Sequence, residues 1–357
     1  MTEYMDESQQ LNAGSGACLP GLFCFGLGYT AKNLGETILG HHPSFPNQHL
    51  VPINKGWHVA GTSRNIAHKA DLAAKGFNLF SLDTQITAAP TETSAQIPDS
   101  LSLIRGVLAS GHYASLLISV PPDSEGCPIF RLLADFLVQY RQLFHWVGYL
   151  STTGVYGQQH GEWVDETTTP NPLKPHNHFR LKAENQWLSL SAHDMPIHIF
   201  RLSGIYGQGR SAIDKICEGT AQRIDSPGQL FNRIHVDDIV QTLLCSMKNP
   251  CSGRVYNVSD DEPAPARNVI EEACRLLDAE PPPLIPLAHA SLSAMAQSFY
   301  AENKKVFNQR IKQELGVKLL YPTYREGLAQ ILSITTPATI ISPAVKNLPV
   351  EKSKKTG

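Results

Sequence analysis

The sequence predicts an α/β protein: a doubly wound parallel sheet with a smaller C-terminal α/β lobe. Three observations carry that prediction. Short apolar runs alternate with stretches long enough for crossover helices, which is the signature of a helix-wrapped parallel sheet. The first apolar run ends in a glycine-rich turn that opens directly into a helix. The length of 357 residues suits one large α/β domain carrying a second lobe.

The elements follow in chain order. Residues 1–18 are polar and aperiodic and are expected as a disordered leader. Apolar, strand-like runs lie at residues 21–26, 57–62, 76–80, 114–120, 145–150 and 197–202. The intervals between them accommodate crossover helices, for instance residues 130–144. Residues 40–55 are rich in Pro and His and read as a surface insertion between the first helix and the second strand. Its His41, His42 and His49 have no Cys or carboxylate close in sequence, so they read as solvated rather than as a metal site, and no metal is expected. The apolar stripe Val269, Ile270, Ala273, Leu276 and Leu277 has helical spacing and reads as core. The segments Asn303-Lys304-Lys305-Val306 and Tyr321 to Leu328 are expected to close the smaller lobe. The resulting division is a dinucleotide-binding domain over 19–204, with 235–260 returning to it. The substrate lobe takes 205–234 and 261–333, and 334–357 forms a loose tail.

Composition narrows the function classes. Thirty basic against 32 acidic residues give a net charge of −2, which argues against a nucleic-acid or polybasic membrane-surface partner. No run approaches the roughly 18 apolar residues of a membrane span. The acidic start, Met1-Thr2-Glu3-Tyr4-Met5-Asp6-Glu7, has no export-signal pattern. Seven scattered cysteines with no C-x-x-C spacing fit reduced thiols, so a cytoplasmic protein is expected.

The turn Gly26-Leu27-Gly28-Tyr29-Thr30-Ala31 spells G-x-G-x-x-A between a strand and a helix. Gly26 permits the tight bend, Gly28 lets the backbone approach a pyrophosphate, and Ala31 lets the helix pack closely on the sheet. The helix N-terminus offers free N–H groups to the phosphates. The architecture expected is therefore of the Rossmann type. At the end of the second strand an NAD enzyme would carry an acidic residue, whereas this chain has Thr62-Ser63-Arg64-Asn65. The Arg64 guanidinium suits a 2′-phosphate, so NADP(H) is favoured over NAD(H); an Arg64 that simply faces water is the alternative. Asp83 after the third strand, Ser119, Val120 and Pro121 after the fourth, and Ser203, Gly204 and Ile205 after the sixth complete the expected cofactor contacts. All of them sit at C-terminal strand ends, where an open α/β sheet binds its ligand.

The stretch Tyr149-Leu150-Ser151-Thr152-Thr153-Gly154-Val155-Tyr156-Gly157 resembles the active-site strand of extended short-chain dehydrogenases/reductases. Asp165-Glu166, the segment Phe200 to Gly207, Ile234-His235-Val236-Asp237-Asp238 and Val255-Tyr256-Asn257-Val258 extend the likeness over about residues 20–330. The pattern is most similar to the atypical bacterial subgroup described as NAD(P)-dependent epimerase/dehydratase-like. The resemblance implies that Thr152 holds the substrate oxygen. It also implies a Y-x-x-x-K-x-x-x-E motif, and here the chain departs from the family. With the motif's Glu on Glu184, Arg180 stands at the Lys position and His176 at the Tyr position, while Lys182 is two residues out of register. Arg180 can hold the nicotinamide ribose, and His176 or Tyr156 can handle the proton. A plain surface or packed residue is the other reading of His176.

Thr153 and Gly154 occupy the places of the dehydratases' acid pair, and Phe231 that of the epimerases' diphosphate arginine. Arg233 and Arg210 are the remaining candidates for an anionic substrate, with a solvent-facing loop arginine as the alternative for Arg210. The expectation is an NADP(H)-binding oxidoreductase or epimerase for a small polar or anionic carbonyl or alcohol substrate. The rival is a catalytically inactive NADP(H) sensor or protein-interaction module. A small molecule is the expected partner and a homodimer the assembly considered.

Overall fold

The computed structural model describes residues 21–42, 56–83, 96–292, 297 and 299–335. The expected leader, most of the tail, and residues 43–55 of the insertion with His49 lie outside the described residues. The chain runs β1 (Gly21–Phe25), α1 (Tyr29–Ile38), β2 (His58–Ser63), α2 (Ala70–Ala74), β3 (Phe77–Ser81), α3 (Gln96–Ala109), β4 (Ser115–Ile118), α4 (Pro128–Gln139), β5 (Trp146–Thr152), β6 (Trp163–Val164), α5 (Pro175–Ser189), β7 (Ile197–Leu202) and β8 (Gly204–Tyr206). It continues with α6 (Ala212–Cys217), β9 (Arg223–Asp225), β10 (Arg233–His235), α7 (Val236–Lys248), β11 (Arg254–Val258), α8 (Ala266–Leu276), β12 (Leu284–Pro286), β13 (Lys305–Val306), α9 (Gln309–Glu314) and α10 (Tyr324–Ile334).

Seven strands form one parallel sheet in the order β11-β7-β5-β4-β1-β2-β3. Strand order reverses between β1 and β4, which pair with Leu22 opposite Ser115 and Phe25 opposite Ile118. That reversal opens the crevice where doubly wound sheets take their ligands. The six apolar runs all became strands of this sheet. The fourth stops at Ile118, which leaves Ser119 and Val120 free to line the crevice. The seventh, β11, carries the Val255-Tyr256-Asn257-Val258 motif and pairs with β7.

Helices cover both faces, so residues of the central strands are buried whichever way they point, while the edge strand β3 is buried only at Phe77. Every residue of β1 is buried. Leu22, Leu34, Val59 and Leu243 pack on one face, and Phe23, Ile118, Leu133 and Trp187 on the other. Gly35 lets α1 lie close to β3, since a Cβ there would come within 2.4 Å of the Phe77 ring. A third core joins α6, α8 and α10 through Tyr206, Ile213, Ile270, Ala273, Tyr324 and Leu328. The stripe read as core in α8 therefore is core. Among the described residues the cysteines are free thiols, and no helix is long and apolar enough to cross a membrane.

One expectation is corrected. His42 is not solvated: its side chain is only 7% exposed and sits 3.5 Å from Asp237. The chain leaving α1 folds over the N-terminus of α7, where burial lowers the His42 pKa against the pull of that carboxylate. His41, by contrast, is exposed and hydrogen-bonds the Lys75 carbonyl oxygen at 3.0 Å.

Candidate active site

The turn after β1 has the geometry its glycines suggest. Gly26 adopts φ +91°, and a Cβ on it would press to 3.2 Å from Val120. Its N–H donates to Thr62 Oγ1 at 2.9 Å, and the Leu27 N–H donates to the Thr62 carbonyl at 2.9 Å. Gly61 completes this lock, because a Cβ there would meet Leu27 at 2.6 Å. Gly28 stands at the N-cap of α1 with no side-chain cap and no acidic residue in the first turn. The nearest atom to a Cβ on Gly28 is Ser119 Oγ, 3.9 Å away, so the space in front of the helix is open. Thr30 and Ala31 are buried behind it. Uncapped N–H groups, positive helix dipole and open backbone together fit a pyrophosphate.

The other predicted cofactor residues surround this crevice. Arg64 directly follows β2, is exposed, and among the described residues forms no ion pair. Asp83 is half-buried just beyond β3. Ser119 follows β4, its N–H donating to the Phe25 carbonyl at 2.9 Å, with Val120 half-buried and Pro121 exposed beside it. Ser203 is 5% exposed and its hydroxyl has no partner among the described residues, whereas Gly204 is exposed and Ile205 half-buried. Arg210 lies over the Tyr29 ring at 5.7 Å, while Tyr29 donates its hydroxyl to the Gln208 carbonyl at 2.9 Å. The structure thus brings Arg210, expected at the substrate, to the phosphate turn itself.

At the end of β5, Thr152 accepts the Gly154 N–H at Oγ1, 3.1 Å away, which leaves its own O–H to donate. Helix α5 passes alongside. His176 is exposed on its first turn, and Arg180 is half-buried, with Nη1 donating to the Leu150 carbonyl at 2.9 Å. Lys182 points elsewhere, to the Ser124 carbonyl and Glu125 at 3.1 and 3.2 Å. Glu184 is 1% exposed, accepts the Ser151 hydroxyl, and is paired with Arg201 Nη2 at 2.7 Å. That buried pair clamps α5 to β5 and β7, and so sets the height of Arg180 and His176 beside Thr152.

Two expected site residues are engaged with the fold. Tyr156 is fully buried and donates its hydroxyl to Asn257 Oδ1 at 2.7 Å, with Arg201 stacked 4.8 Å from its ring. Burial pushes its pKa up to about 12. Arg233 is largely committed to the fold: Nη1 donates to the carbonyls of Phe231 and Ala264 at 2.9 and 3.0 Å. Burial lowers its pKa even though Asp260 stands near. Other matched motifs are likewise structural. Asp165 caps a turn through Thr167 and Thr168, Glu166 accepts the Asn257 N–H at 2.8 Å, and His235 caps α7. Asp238 accepts the N–H groups of Leu320 and Tyr321.

The residues that the sequence reading missed are those brought in from distant segments. Asn177 on α5 presses on Gly154 so closely that a Cβ there would lie 2.7 Å from its amide. A side chain, such as a dehydratase acid, has no room at Gly154. Asn177 also hydrogen-bonds Glu302, at 3.4 Å. Glu302 pairs at 2.7 Å with the buried Lys304, which donates at 3.0 Å to the Gly157 carbonyl. The spacing from 157 to 304 carries no periodic signal that would have joined them.

Residues 138–259 match the model of the NAD dependent epimerase/dehydratase family. A 3-diazoavenalumate denitrifying reductase from a Streptomyces species is 30% identical over 162 residues, 42% of this chain and 52% of that protein; the chain thus matches about half the length of this relative. A conserved protein of unknown function from Silicibacter pomeroyi is 40% identical, with a TM-score of 0.73 over 88% of this chain and 98% of that one. The dTDP-glucose 4,6-dehydratase of Bacillus anthracis, solved with NAD, shares the fold at 15% identity, with a TM-score of 0.65 over 88% and 96% of the two chains.

Proposed function

We propose that the chain, whose residues 138–259 match the NAD dependent epimerase/dehydratase family model, is an NADP(H)-dependent reductase of a small polar carbonyl compound. One observation carries the reading: an uncapped, glycine-walled helix N-terminus at the crevice between β1 and β4, with the exposed Arg64, which forms no ion pair among the described residues, at the end of the neighbouring β2. Gly26 to Ala31 hold the pyrophosphate, Arg64 the 2′-phosphate, Asp83 the adenosine end, and Ser119 to Pro121 with Ser203 to Ile205 the nicotinamide end. Arg210, stacked on Tyr29, adds positive charge beside the pyrophosphate.

When bound, the nicotinamide supplies or accepts a hydride. The chain's own residues do the rest. Thr152 donates its hydroxyl to the substrate oxygen, and Arg180 reaches the ribose while one nitrogen stays on the Leu150 carbonyl. His176, exposed on the first turn of α5, is the group that passes protons to and from water. The name of the Streptomyces relative, a reductase, supports hydride delivery over epimerisation. The smaller lobe, built on α6, α8 and α10, covers the substrate.

The second reading, a non-catalytic NADP(H) sensor, draws support from Tyr156, which is buried with its hydroxyl donated to Asn257. Assays of NADPH oxidation over a panel of aldehydes and ketones separate the two. Turnover lost in Thr152→Ala with unchanged NADPH affinity supports the reductase; NADPH binding without turnover on any carbonyl supports the sensor.

A further inference from the structure

Lys304 and Glu302 form a buried ion pair outside every motif that the family pattern supplies. Each side chain is 9% exposed, and Nζ lies 2.7 Å from Glu302 Oε2. The pair touches both halves of the candidate active site. Lys304 Nζ donates to the carbonyl of Gly157, which ends the turn begun at Thr152. Glu302 meets Asn177, on the first turn of α5 next to His176.

The segment that carries the pair, just before β13, is stitched in by hydrogen bonds on both sides. Asn303 N–H donates to Gln158 Oε1 at 2.7 Å, and Lys305 N–H donates to the Glu162 carbonyl at 2.9 Å. Asn232 Nδ2 donates to the Lys304 carbonyl at 2.8 Å. The ammonium is therefore held in place rather than draped over the surface.

Burying a charge pair costs more than filling the space with apolar side chains unless the pair has other work. An ammonium has three donors. Among the described residues Gly157 and Glu302 take two of them, and the pair lies between the turn of residues 152–157 and α5.

Resting on the reductase reading, we propose that Lys304, oriented by Glu302, is the group that receives the substrate's carbonyl oxygen opposite Thr152. Its ligand is a small aldehyde or ketone. The ammonium polarises the C=O bond and stabilises the negative charge that grows on the oxygen as the carbon is reduced. That is the task left open by Tyr156, whose hydroxyl is committed to Asn257.

Reductive trapping tests this without a known substrate. The full-length protein is incubated with pyridoxal 5′-phosphate, an anionic aldehyde, reduced with borohydride, and mapped by peptide mass spectrometry. Label on Lys304 in the wild type, absent in Lys304→Arg, is the expected result; label confined to other lysines overturns the proposal. For any carbonyl that is turned over, Lys304→Arg and Lys304→Met lower kcat/KM roughly 100- to 1,000-fold, as for loss of one oxyanion donor. NADPH affinity stays within about twofold. Variants that keep wild-type kcat/KM overturn the proposal too. A protein labelled at Lys304 that fails to bind NADPH sinks the cofactor reading and leaves the carbonyl site standing.

Discussion

Single residues decide what the site can do, and Tyr156 is the clearest case. In sequence it sits in a V-Y-G triplet close to the candidate Thr152; in the fold it has no exposed surface and its hydroxyl is committed to Asn257. Tyr156→Phe should therefore keep turnover within about threefold while costing about 1 kcal/mol of stability for the lost buried hydrogen bond. A hundredfold fall in kcat with unchanged thermal stability would restore it to the chemistry. Gly26 makes the opposite case, legible from sequence alone. At φ +91° with Val120 only 3.2 Å from a would-be Cβ, Gly26→Val strains the turn by about 1–3 kcal/mol. The variant should lose at least tenfold in NADPH affinity, measured by fluorescence titration. Gly154 could not be read in this way: its need for an absent side chain comes from Asn177, 23 positions later in the chain.

At the scale of elements, the strands were the most readable feature. Parallel strands covered on both faces are continuous apolar runs, and β1, β2, β3, β4, β5 and β7 announce themselves in that way. The short ladders β8–β10, β9–β12 and β6–β13 were not legible, because two- or three-residue pairings leave no period. Helix α5 shows the same division. Its register against the motif is readable from Glu184, but the reason that the register holds is the pairing with Arg201 on β7. Removing one partner of so buried a pair strands the other charge. Glu184→Ala should lower stability by about 3–5 kcal/mol in urea unfolding. It should also weaken turnover through misplacement of Arg180 and Thr152. Loss below 1 kcal/mol would mean that α5 is held by packing alone.

For the whole molecule, buried titratable groups set the response to acid. His198 and His235 are kept neutral chiefly by burial, which lowers their pKa values to about 4. A depressed histidine contributes stability that is present above its unfolded value of about 6.5 and lost as pH falls toward 4. Asp238, raised by burial to about 7, works in the opposite sense: its contribution is present at low pH and fades as pH rises toward 7. Asp260 and Glu166 are raised by burial in the same way and oppose the histidines, so the histidine share of the stability–pH slope between pH 6.5 and 4 is isolated by a single variant. His198→Gln, which can still accept the Cys251 N–H, should flatten that slope by up to about 1.4 kcal/mol per pH unit. An unchanged slope in the variant would show that other groups govern the acid limb.

The crevice, too, belongs to the whole molecule, since β1, β2, β4 and β7 each deliver one wall of it. Its phosphate turn and Arg64 were visible in the sequence because they are local and sit at strand ends. The Lys304–Glu302 pair and the placement of Arg210 on Tyr29 depend on long-range folding, which one sequence does not display. The central claim is that this crevice takes NADP(H) through Arg64. The most direct test is a fluorescence titration of the wild type and Arg64→Ala with NADPH and with NADH. Tight NADPH binding that falls roughly 10- to 150-fold in the variant, with NADH barely changed, is the predicted result for loss of one charged hydrogen bond. Equal affinity for both nucleotides in both proteins would contradict the claim.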